Sequence, residues 1–424
     1  MKIATLSLTA ALAVFAAAGI ETNAEAATVK LFCGATDYDL CSSAAEAWAK
    51  QSGNAVSINK MPASWDDAVP LYQQMLAAKS TDVDVLVIDV IWMGMLKNHL
   101  LDLGAMVPKE EVAAHFPTTI DAATIDGQLL ALPWYMDTGL IFYRKDLLEK
   151  YGKAVPKTWA ELTETAKAVQ DGERKAGDAD MWGFVWQGKS YEGLTCDAIE
   201  WVASTGGGTI IDAKGDVTID NPKTAQALAL AHSWIDTISP QGVLGYDEES
   251  SRAVFESGKA VFLRNWPYVW GTSQAAGGAL VGKVGVAALP VGAAGEKSSG
   301  CLGPAYLGVS KYSENKDAAV SLIRYMTGAA DQKRRAIQGA YNPTVSALYE
   351  DPEVLAKLPF LKDTEAAFAD SIARPSAATG ASYNRVSQAF SKSVHAVLTG
   401  DEQPDAAVAA LAKELDRLRQ RAKW

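Results

Sequence analysis

The first ninety residues alternate between short apolar stretches and helix-forming stretches, and this alternation limits the possible fold more than any other feature. The apolar stretches are residues 28–32, 54–61 and 83–90. The last one, VDVLVIDV, is almost continuously hydrophobic, which is typical of a strand that is buried on both faces. Residues 42–53 and 65–80 read as the intervening helices, the first ending at Gly53 and the second tolerating Pro70. The order predicts a doubly wound α/β lobe.

Acidic and aromatic residues follow two of these predicted strands. Asp37 and Asp39 come after the first strand, and Asp89 and Trp92 lie at the end of the third. Ligands of open α/β sheets bind beyond the carboxyl ends of the strands. These residues are therefore candidates for contact with a ligand.

A second candidate is the segment PWYMDTG, which precedes an apolar strand, a helix and a glycine stop within residues 131–152. It places Trp134, Tyr135 and Asp137 beside a proline and a glycine. Two aromatic rings next to a carboxylate that only accepts hydrogen bonds suit a polyhydroxylated ligand. They suit a buried turn equally well, and these residues alone leave both interpretations open.

The remainder of the chain continues the mixture of helices and strands. A capping box of Thr158 and Glu161 predicts a helix start. Further strands are predicted at 181–188, at the end of 252–270 and at 283–290, and helices at 193–204, 222–237, 316–328, 351–373 and 404–421. No flexible linker separates the parts, so we expect two interwoven lobes rather than two tethered domains.

The N-terminus has the features of a secretory signal. Lys2 precedes the apolar run LSLTAALAVFAAAGI, and Ala24-Glu25-Ala26 fits the small-x-small cleavage rule. We expect residues 1–26 to be removed, the mature chain to begin at Ala27, and the protein to work in the periplasm. No later apolar run is long enough to span a membrane.

Export makes the four cysteines informative. Four cysteines allow three pairings, of which Cys33–Cys41 together with Cys196–Cys301 is favoured. The alternative is that the cysteines are reduced and act as small buried hydrophobic residues.

Composition argues against several classes of function. Acidic residues outnumber basic ones by 50 to 39, and no basic cluster occurs, so neither nucleic acid nor an anionic membrane is an expected partner. The four histidines form no ligand pair at helical spacing, so no metal or other cofactor is expected. Sequence motifs of nucleophilic catalysis are missing. A glycosidase built on Asp37, Asp89 or Asp137 is the enzymatic alternative, and we do not expect an enzyme.

A series of longer motifs runs along the chain. In chain order they are DVDVLVIDVIWMG (82–94), DGQLLALPWYMDTGLIFYRKDLLEKYG (126–152), PKTWAEL (156–162), GGGTIIDAKGDVTID (206–220), FESGKAVFLRNWPYVW (255–270), LGVSKYSENKDAA (307–319), YNPT (341–344), LYEDPEV (348–354) and ARPS (373–376). Their order and spacing, over nearly all of the mature chain, resemble the family 1 extracellular solute-binding proteins of bacterial ABC importers, and within that family the trehalose- and maltose-binding proteins.

The resemblance implies two α/β lobes with a hinged cleft that closes on a sugar. The first lobe would take residues 27–137 and 281–338, and the second 138–280 and 339–424. The expected partners are a carbohydrate and the membrane permease of an ABC importer, and a monomer is expected. By resemblance, the ligand-binding residues would be Asp37, Asp89, Tyr135, Asp137, Trp266, Tyr306 and Arg374.

Two positions depart from the family pattern. Ala68 stands where related receptors often have an arginine, and Ala305 stands where they often have a tryptophan. Tyr306 and Trp65 are the candidates to compensate for the missing groups. The departures leave the identity of the sugar open while the expected transport role stays the same.

Overall fold

The computed structural model describes residues 26–62, 65–293 and 295–424. The predicted signal segment lies outside these residues, apart from Ala26. The strands are β1 Thr28–Cys33, β2 Ala55–Lys60, β3 Val85–Asp89, β4 Thr124–Ile125, β5 Gln128–Leu129, β6 Ala131–Tyr135, β7 Leu140–Arg144, β8 Trp182–Val185, β9 Ala260–Asn265, β10 Val284–Ala287 and β11 Ala305–Val309.

Helices connect and cover these strands. They are α1 Tyr38–Ser52, α2 Trp65–Ala77, α3 Met93–Leu96, α4 Lys109–Ala113, α5 Pro117–Ala123, α6 Lys145–Lys150, α7 Trp159–Lys175, α8 Glu192–Ser204, α9 Pro222–Trp234, α10 Glu248–Glu256, α11 Val269–Ser273, α12 Lys316–Thr327, α13 Ala329–Gly339, α14 Pro352–Lys357, α15 Leu361–Ala369, α16 Ser376–Thr379, α17 Tyr383–Thr399 and α18 Pro404–Ala422. Short 3-10 turns occupy Val90–Trp92, Lys97–His99, Gln241–Gly245, Ser346–Glu350 and Gly380–Ser382.

The first sheet has the order β2-β1-β3-β11-β6 and confirms the predicted α/β lobe. Strand β1 is parallel to β2 and β3, whereas β11 is antiparallel to both β3 and β6. Strand β6 therefore runs in the same direction as β1 and β3. The carboxyl ends of these three strands meet at one edge, where Asp37, Asp89 and Tyr135 lie.

The second sheet has the order β10-β7-β9-β8, and it corrects one predicted lobe boundary. Strand β10 pairs along its whole length with β7, from Val284 opposite Arg144 to Ala287 opposite Ile141. Residues 284–287 therefore belong to the second sheet, although the sequence assigned 281–338 to the first lobe. The chain returns to the first sheet only at β11. The other lobe boundaries stay predictions.

Three passes of the chain lie side by side between the two sheets. Thr138 bridges to Leu302, and Cys301 bridges to Ile372. The Gly303 N–H donates to the Asp137 carbonyl at 2.9 Å, and the Leu302 N–H donates to the Ile372 carbonyl at 2.9 Å. The lobes are therefore interwoven, as predicted.

Gly139 lies in this crossing region for a steric reason. Its φ is outside the left-handed region, and a Cβ at this position would lie 1.9 Å from Oε1 of Glu200. The glycine therefore permits close approach of the chain to a buried carboxylate.

The cysteines confirm one predicted pairing and correct the other. Cys33 and Cys41 form a disulfide between the end of β1 and α1. Cys196 and Cys301 are free, buried thiols. Burial raises the pKa of the Cys196 thiol, and the neighbouring Cys301 thiol raises it further. Both therefore pack as small hydrophobic groups, which was the alternative interpretation.

Local helix predictions differ in accuracy. The capping box of Thr158 and Glu161 is present at the start of α7. The single helix expected over 351–373 is instead two helices, α14 and α15, separated at residues 358–360. Residues Val408, Leu411 and Leu415 of α18 are buried in the second-lobe core, so this face of the helix packs inside the protein.

Candidate ligand-binding cleft

An ionic cluster joins the two sheets at the cleft. Nη2 of Arg374 lies 2.8 Å from Oδ1 of Asp89 at the end of β3, and Nη1 lies 2.9 Å from Oε1 of Glu192 at the start of α8. The Arg374 side chain is only 2% exposed. Of the residues that sequence placed in the site, Asp89 and Arg374 are thus in direct contact. A single guanidinium thus pairs with one carboxylate from each lobe.

Glu192 is a cleft residue that the sequence did not reveal. Besides Arg374, its carboxylate accepts hydrogen bonds from the hydroxyls of Tyr383 and Ser387. Burial raises its pKa, and the Arg374 charge opposes that rise. The only sequence signal was its place as the first acidic residue of a helix whose other residues are mostly apolar.

A cavity of about 380 Å³ opens beside this cluster and lies between the lobes. Asp66, Val69, Ile91 and Trp92 line it from the first lobe. The second-lobe side is formed by Ser190, Tyr191, Glu192, Asn384, Ser387, Gln388, Ser391 and Lys392. Its volume lies in the range of small-molecule sites, and its wall combines hydroxyl, amide and carboxylate groups with aromatic rings.

A second ionic contact lies at the edge of the first sheet, where Asp37 follows β1. Nη2 of Arg335, on α13, donates to Oδ2 of Asp37 at 2.9 Å. The guanidinium carbon is 3.9 Å from the ring centre of Trp134 and 4.4 Å from that of Tyr341. Tyr135 is stacked nearby, with its ring centre 4.9 Å from that of Tyr341. Asp37 and Tyr135 therefore both lie beside Arg335, an arginine that the sequence did not single out.

Asp137 lies close to this group and is buried. Its Oδ1 has no hydrogen-bond partner in the part of the chain that the structure describes. Burial raises the pKa of Asp137 to about 8, with Arg335 lowering it and Asp37 raising it. The side chain is therefore mostly protonated at neutral pH in this arrangement.

Trp266 follows β9 in the second lobe and is partly exposed. Its Nε1 lies 3.5 Å from Oε1 of Glu248, and the same Glu248 accepts a hydrogen bond of 2.6 Å from the hydroxyl of Tyr191. Tyr191 lines the cavity. Trp266 is thus linked to the cavity wall through one shared carboxylate.

A buried ionic network around Arg264 packs against the ring of Trp266. The Arg264 guanidinium carbon lies 4.3 Å from the Trp266 ring centre. Nε of Arg264 donates to Glu200 at 2.8 Å and lies 3.0 Å from Asp197. Glu200 also accepts from the Cys301 N–H at 2.8 Å, so the network fixes the crossing segment as well.

Tyr306 is not in the cleft, which corrects the sequence prediction. Its side chain is fully buried in the first-lobe core, and its hydroxyl donates to the Thr119 carbonyl at 3.1 Å. Because side chains alternate along a strand, Ala305 stands beside Asp89 and Tyr135 while Tyr306 points to the other face. The ring of Tyr306 therefore cannot replace the missing tryptophan.

Trp65 and Ala68 lie on α2. Trp65 is partly exposed and packs on Trp92, with ring centres 5.3 Å apart. Ala68 is fully buried. Trp65 is thus the one proposed compensating ring that remains next to the cavity lining.

The described residues, 26–62, 65–293 and 295–424, lack the features of a metal site and of a membrane-spanning helix. No cluster of three or more histidine, cysteine, aspartate or glutamate side chains in these ranges is arranged to hold a metal ion. Within the same residues, no helix combines the length and the apolar character needed to cross a bilayer.

The sequence pattern of the family described as "Bacterial extracellular solute-binding protein" matches residues 42–333. The chain belongs to this family. Its members are the substrate-binding proteins of ABC transporters. A probable ABC transporter-binding protein of Deinococcus radiodurans is 46% identical over 421 residues, which cover 99% of this chain and 98% of that protein.

Solved structures of the family agree with the two-lobed architecture. The maltose-bound MalE3 protein of T. maritima matches with a TM-score of 0.87 and 38% identity, covering 93% of this chain and all of that one (100%). The GacH receptor of Streptomyces glaucescens, solved unliganded and with acarbose, matches with a TM-score of 0.81, 23% identity and 94% and 99% coverage. The latter likeness concerns the fold alone.

Proposed function

We propose that this chain is the periplasmic receptor of an ABC sugar importer, which captures a disaccharide or a related α-glucoside of the trehalose, maltose or sucrose type between its lobes. The observation that carries the proposal is the cavity beside Arg374, whose walls come from both lobes and carry hydroxyl, amide, carboxylate and aromatic groups. The 38% identity to a maltose-bound relative supports a neutral glucoside as the ligand class.

Groups of the cavity wall and of the adjoining sheet edge suit the two faces of a sugar. Trp92 and Trp266 present aromatic surface for the C–H face of a pyranose ring. Asp66, Asp89 and Asp137 provide acceptors for its hydroxyls, and Asn384 and Gln388 provide both donors and acceptors. Arg374 holds the two carboxylates of the cleft in place and can donate to the ligand through Nε, which has no partner among the described residues.

Closure follows from where these groups are attached. Asp66, Asp89 and Trp92 belong to the first lobe, whereas Glu192, Trp266 and the α17 residues belong to the second. Only the closed arrangement offers both sets of contacts, so a bound sugar shifts the population toward it. The closed receptor then docks on the membrane permease. No covalent step is needed, and the predicted absence of catalysis fits this function.

A thermal-shift screen of the mature protein tests the proposal. The panel contains trehalose, maltose, sucrose, palatinose, glucose, mannitol and an acidic sugar. A ligand that binds only the folded state raises the melting temperature by mass action. We expect a rise with at least one α-linked disaccharide and none with the acidic sugar. A rise with mannitol or the acidic sugar alone would contradict the proposed ligand class.

A further inference from the structure

One buried arginine, at the edge of the first sheet where Asp37 lies, carries donor groups that no described protein atom uses. Arg335 is 1% exposed, and its Nη2 is bonded to Asp37. Its Nε and Nη1 have no hydrogen-bond partner among the described residues. An unused donor on a buried charged group is costly, so such groups are normally satisfied by protein, water or ligand.

The surroundings of Arg335 fix its orientation. Its guanidinium packs against the rings of Trp134, Tyr341 and Tyr135, at 3.9, 4.4 and 5.3 Å from the ring centres. Contacts of this kind cover the flat faces of the group and leave its N–H edges for other partners. The donors are therefore held rigidly before any ligand arrives, which reduces the entropy lost on binding.

An unused acceptor lies in the same neighbourhood. Oδ1 of Asp137 has no partner among the described residues, and Arg335 exerts an electrostatic effect on this carboxyl. Asp137 lies directly beyond β6, at the edge of the first sheet that forms the cleft. A neighbouring pair of sugar hydroxyls could supply one oxygen that accepts from Arg335 and one O–H that donates to Asp137.

We propose that Arg335 and Asp137 form a donor–acceptor pair that binds two adjacent hydroxyl groups on the terminal unit of the captured sugar, so that Arg335 is a specificity-determining residue of this cleft. The proposal rests on the proposed function of the cleft as a sugar site. It deepens that function by defining the ligand class as a neutral saccharide with an intact vicinal diol at its inner end. An anionic ligand is disfavoured because the Arg335 charge is already balanced by Asp37.

The alternative role for Arg335 is simply to neutralise Asp37. A lysine would preserve that charge but lose the planar group with its Nε donor. Arg335→Lys therefore separates the two roles, and Arg335→Gln removes the charge as well. Arg334→Gln is the matched control, because Arg334 is on the same helix and its partly exposed side chain pairs with the buried Asp331 rather than with Asp37.

The test is calorimetric titration of these variants with maltose, trehalose and sucrose, followed by the monodeoxy derivatives of whichever binds the wild type most tightly. We expect Arg335→Lys and Arg335→Gln to weaken binding about 10- to 100-fold, as befits the loss of a charged hydrogen bond, and Arg334→Gln to leave it unchanged. At least one monodeoxy derivative should bind the wild type and Arg335→Gln equally, because the hydroxyl that Arg335 contacts is already missing.

Other outcomes overturn the proposal in distinguishable ways. If both Arg335 variants bind the intact sugar as tightly as the wild type, Arg335 does not contact the ligand. If Arg335→Gln weakens the binding of every monodeoxy derivative by the same factor as the binding of the intact sugar, the substitution acts through the structure and not through a contact with one hydroxyl. If Arg335→Gln does not fold, the test uses Arg335→Lys and the double variant Asp37→Asn/Arg335→Gln. If none of the three variants folds, Arg335 has a structural role. If the wild type binds none of the three sugars, the proposed function itself fails.

Discussion

Arg374 and Asp89 lie 285 residues apart in the chain, yet Nη2 of Arg374 is 2.8 Å from Oδ1 of Asp89. Asp89 ends a strand of the first sheet, and the same guanidinium also holds Glu192 of the second lobe. This one side chain therefore joins both walls of the cleft. Its removal would leave two carboxylates facing each other without a neutralising charge.

Arg374→Gln should lower the free energy of unfolding by about 3 to 5 kcal/mol, the usual result of breaking a buried ion pair by removing one partner. Urea unfolding followed by circular dichroism measures the change. Arg419→Gln is the control, since Arg419 pairs with Asp216 at 2.6 Å on the surface and should contribute less than about 1 kcal/mol. Equal losses in the two variants would contradict a special role for Arg374.

Asp137→Asn should change how stability depends on pH. Burial raises the pKa of Asp137 from 3.8 to about 8. Between these values the folded chain keeps a proton that the unfolded chain releases, so stability falls as the pH rises through this window. An asparagine side chain does not ionise, so the stability of Asp137→Asn does not fall in this way. It should match the wild type near pH 4 and exceed it by about 2 kcal/mol or more at pH 9.

Urea midpoints at several pH values measure the difference between wild type and Asp137→Asn. Asp121→Asn, at an exposed aspartate on α5, is the control. A constant difference between Asp137→Asn and the wild type over the whole range would mean that Asp137 is ionised in the folded chain.

The cysteines give a chemical prediction. Alkylation of the denatured mature protein without reductant should modify Cys196 and Cys301 only, and prior reduction should make all four cysteines react. Mass spectrometry counts the added groups. Loss of the Cys33–Cys41 bond, whose ends are 8 residues apart, should cost about 2.5 kcal/mol by the chain-entropy relation. Complete resistance to alkylation before reduction would restore the second disulfide predicted from sequence.

Gly139→Ala should destabilise the crossing region. The new methyl would lie 1.9 Å from Oε1 of Glu200 and 2.7 Å from Nη2 of Arg264, so the buried network would have to move. We expect a loss of about 1 to 3 kcal/mol, the usual range for overpacking. Gly245→Ala is the matched control, because a Cβ there meets no atom within 4 Å. A Gly139→Ala protein as stable as the control would show that the network adapts.

The regular parts of the fold could be predicted because their signals are local. The continuous apolar run of β3 and the capping box of α7 both lie within a few neighbouring residues. The edge that gathers Asp37, Asp89 and Tyr135 follows from strand direction alone. The sequence wrongly assigned β10 to the first lobe. Both β10 and β11 are short apolar strands, and only their hydrogen-bonding partners show to which sheet each belongs.

The composition of the cleft could be predicted only in part. Asp89 and Arg374 came from motifs, but their mutual contact depends on the folding of distant segments. Tyr306 was assigned to the wrong face because a shift of one residue along a strand exchanges core and cleft. Glu192 and Arg335 lie on helices whose sequences look ordinary, and their roles arise from the carboxylates and rings that other elements bring to them.

The most direct test of sugar capture between the lobes is amide hydrogen exchange with and without the disaccharide that gives the largest thermal shift. We expect slower exchange on both cleft walls, at residues 89–93 of the first lobe and at 190–194 and 384–388 of the second, and no change in α18. Protection confined to one lobe, or spread evenly over the whole chain, would contradict capture between two closing lobes.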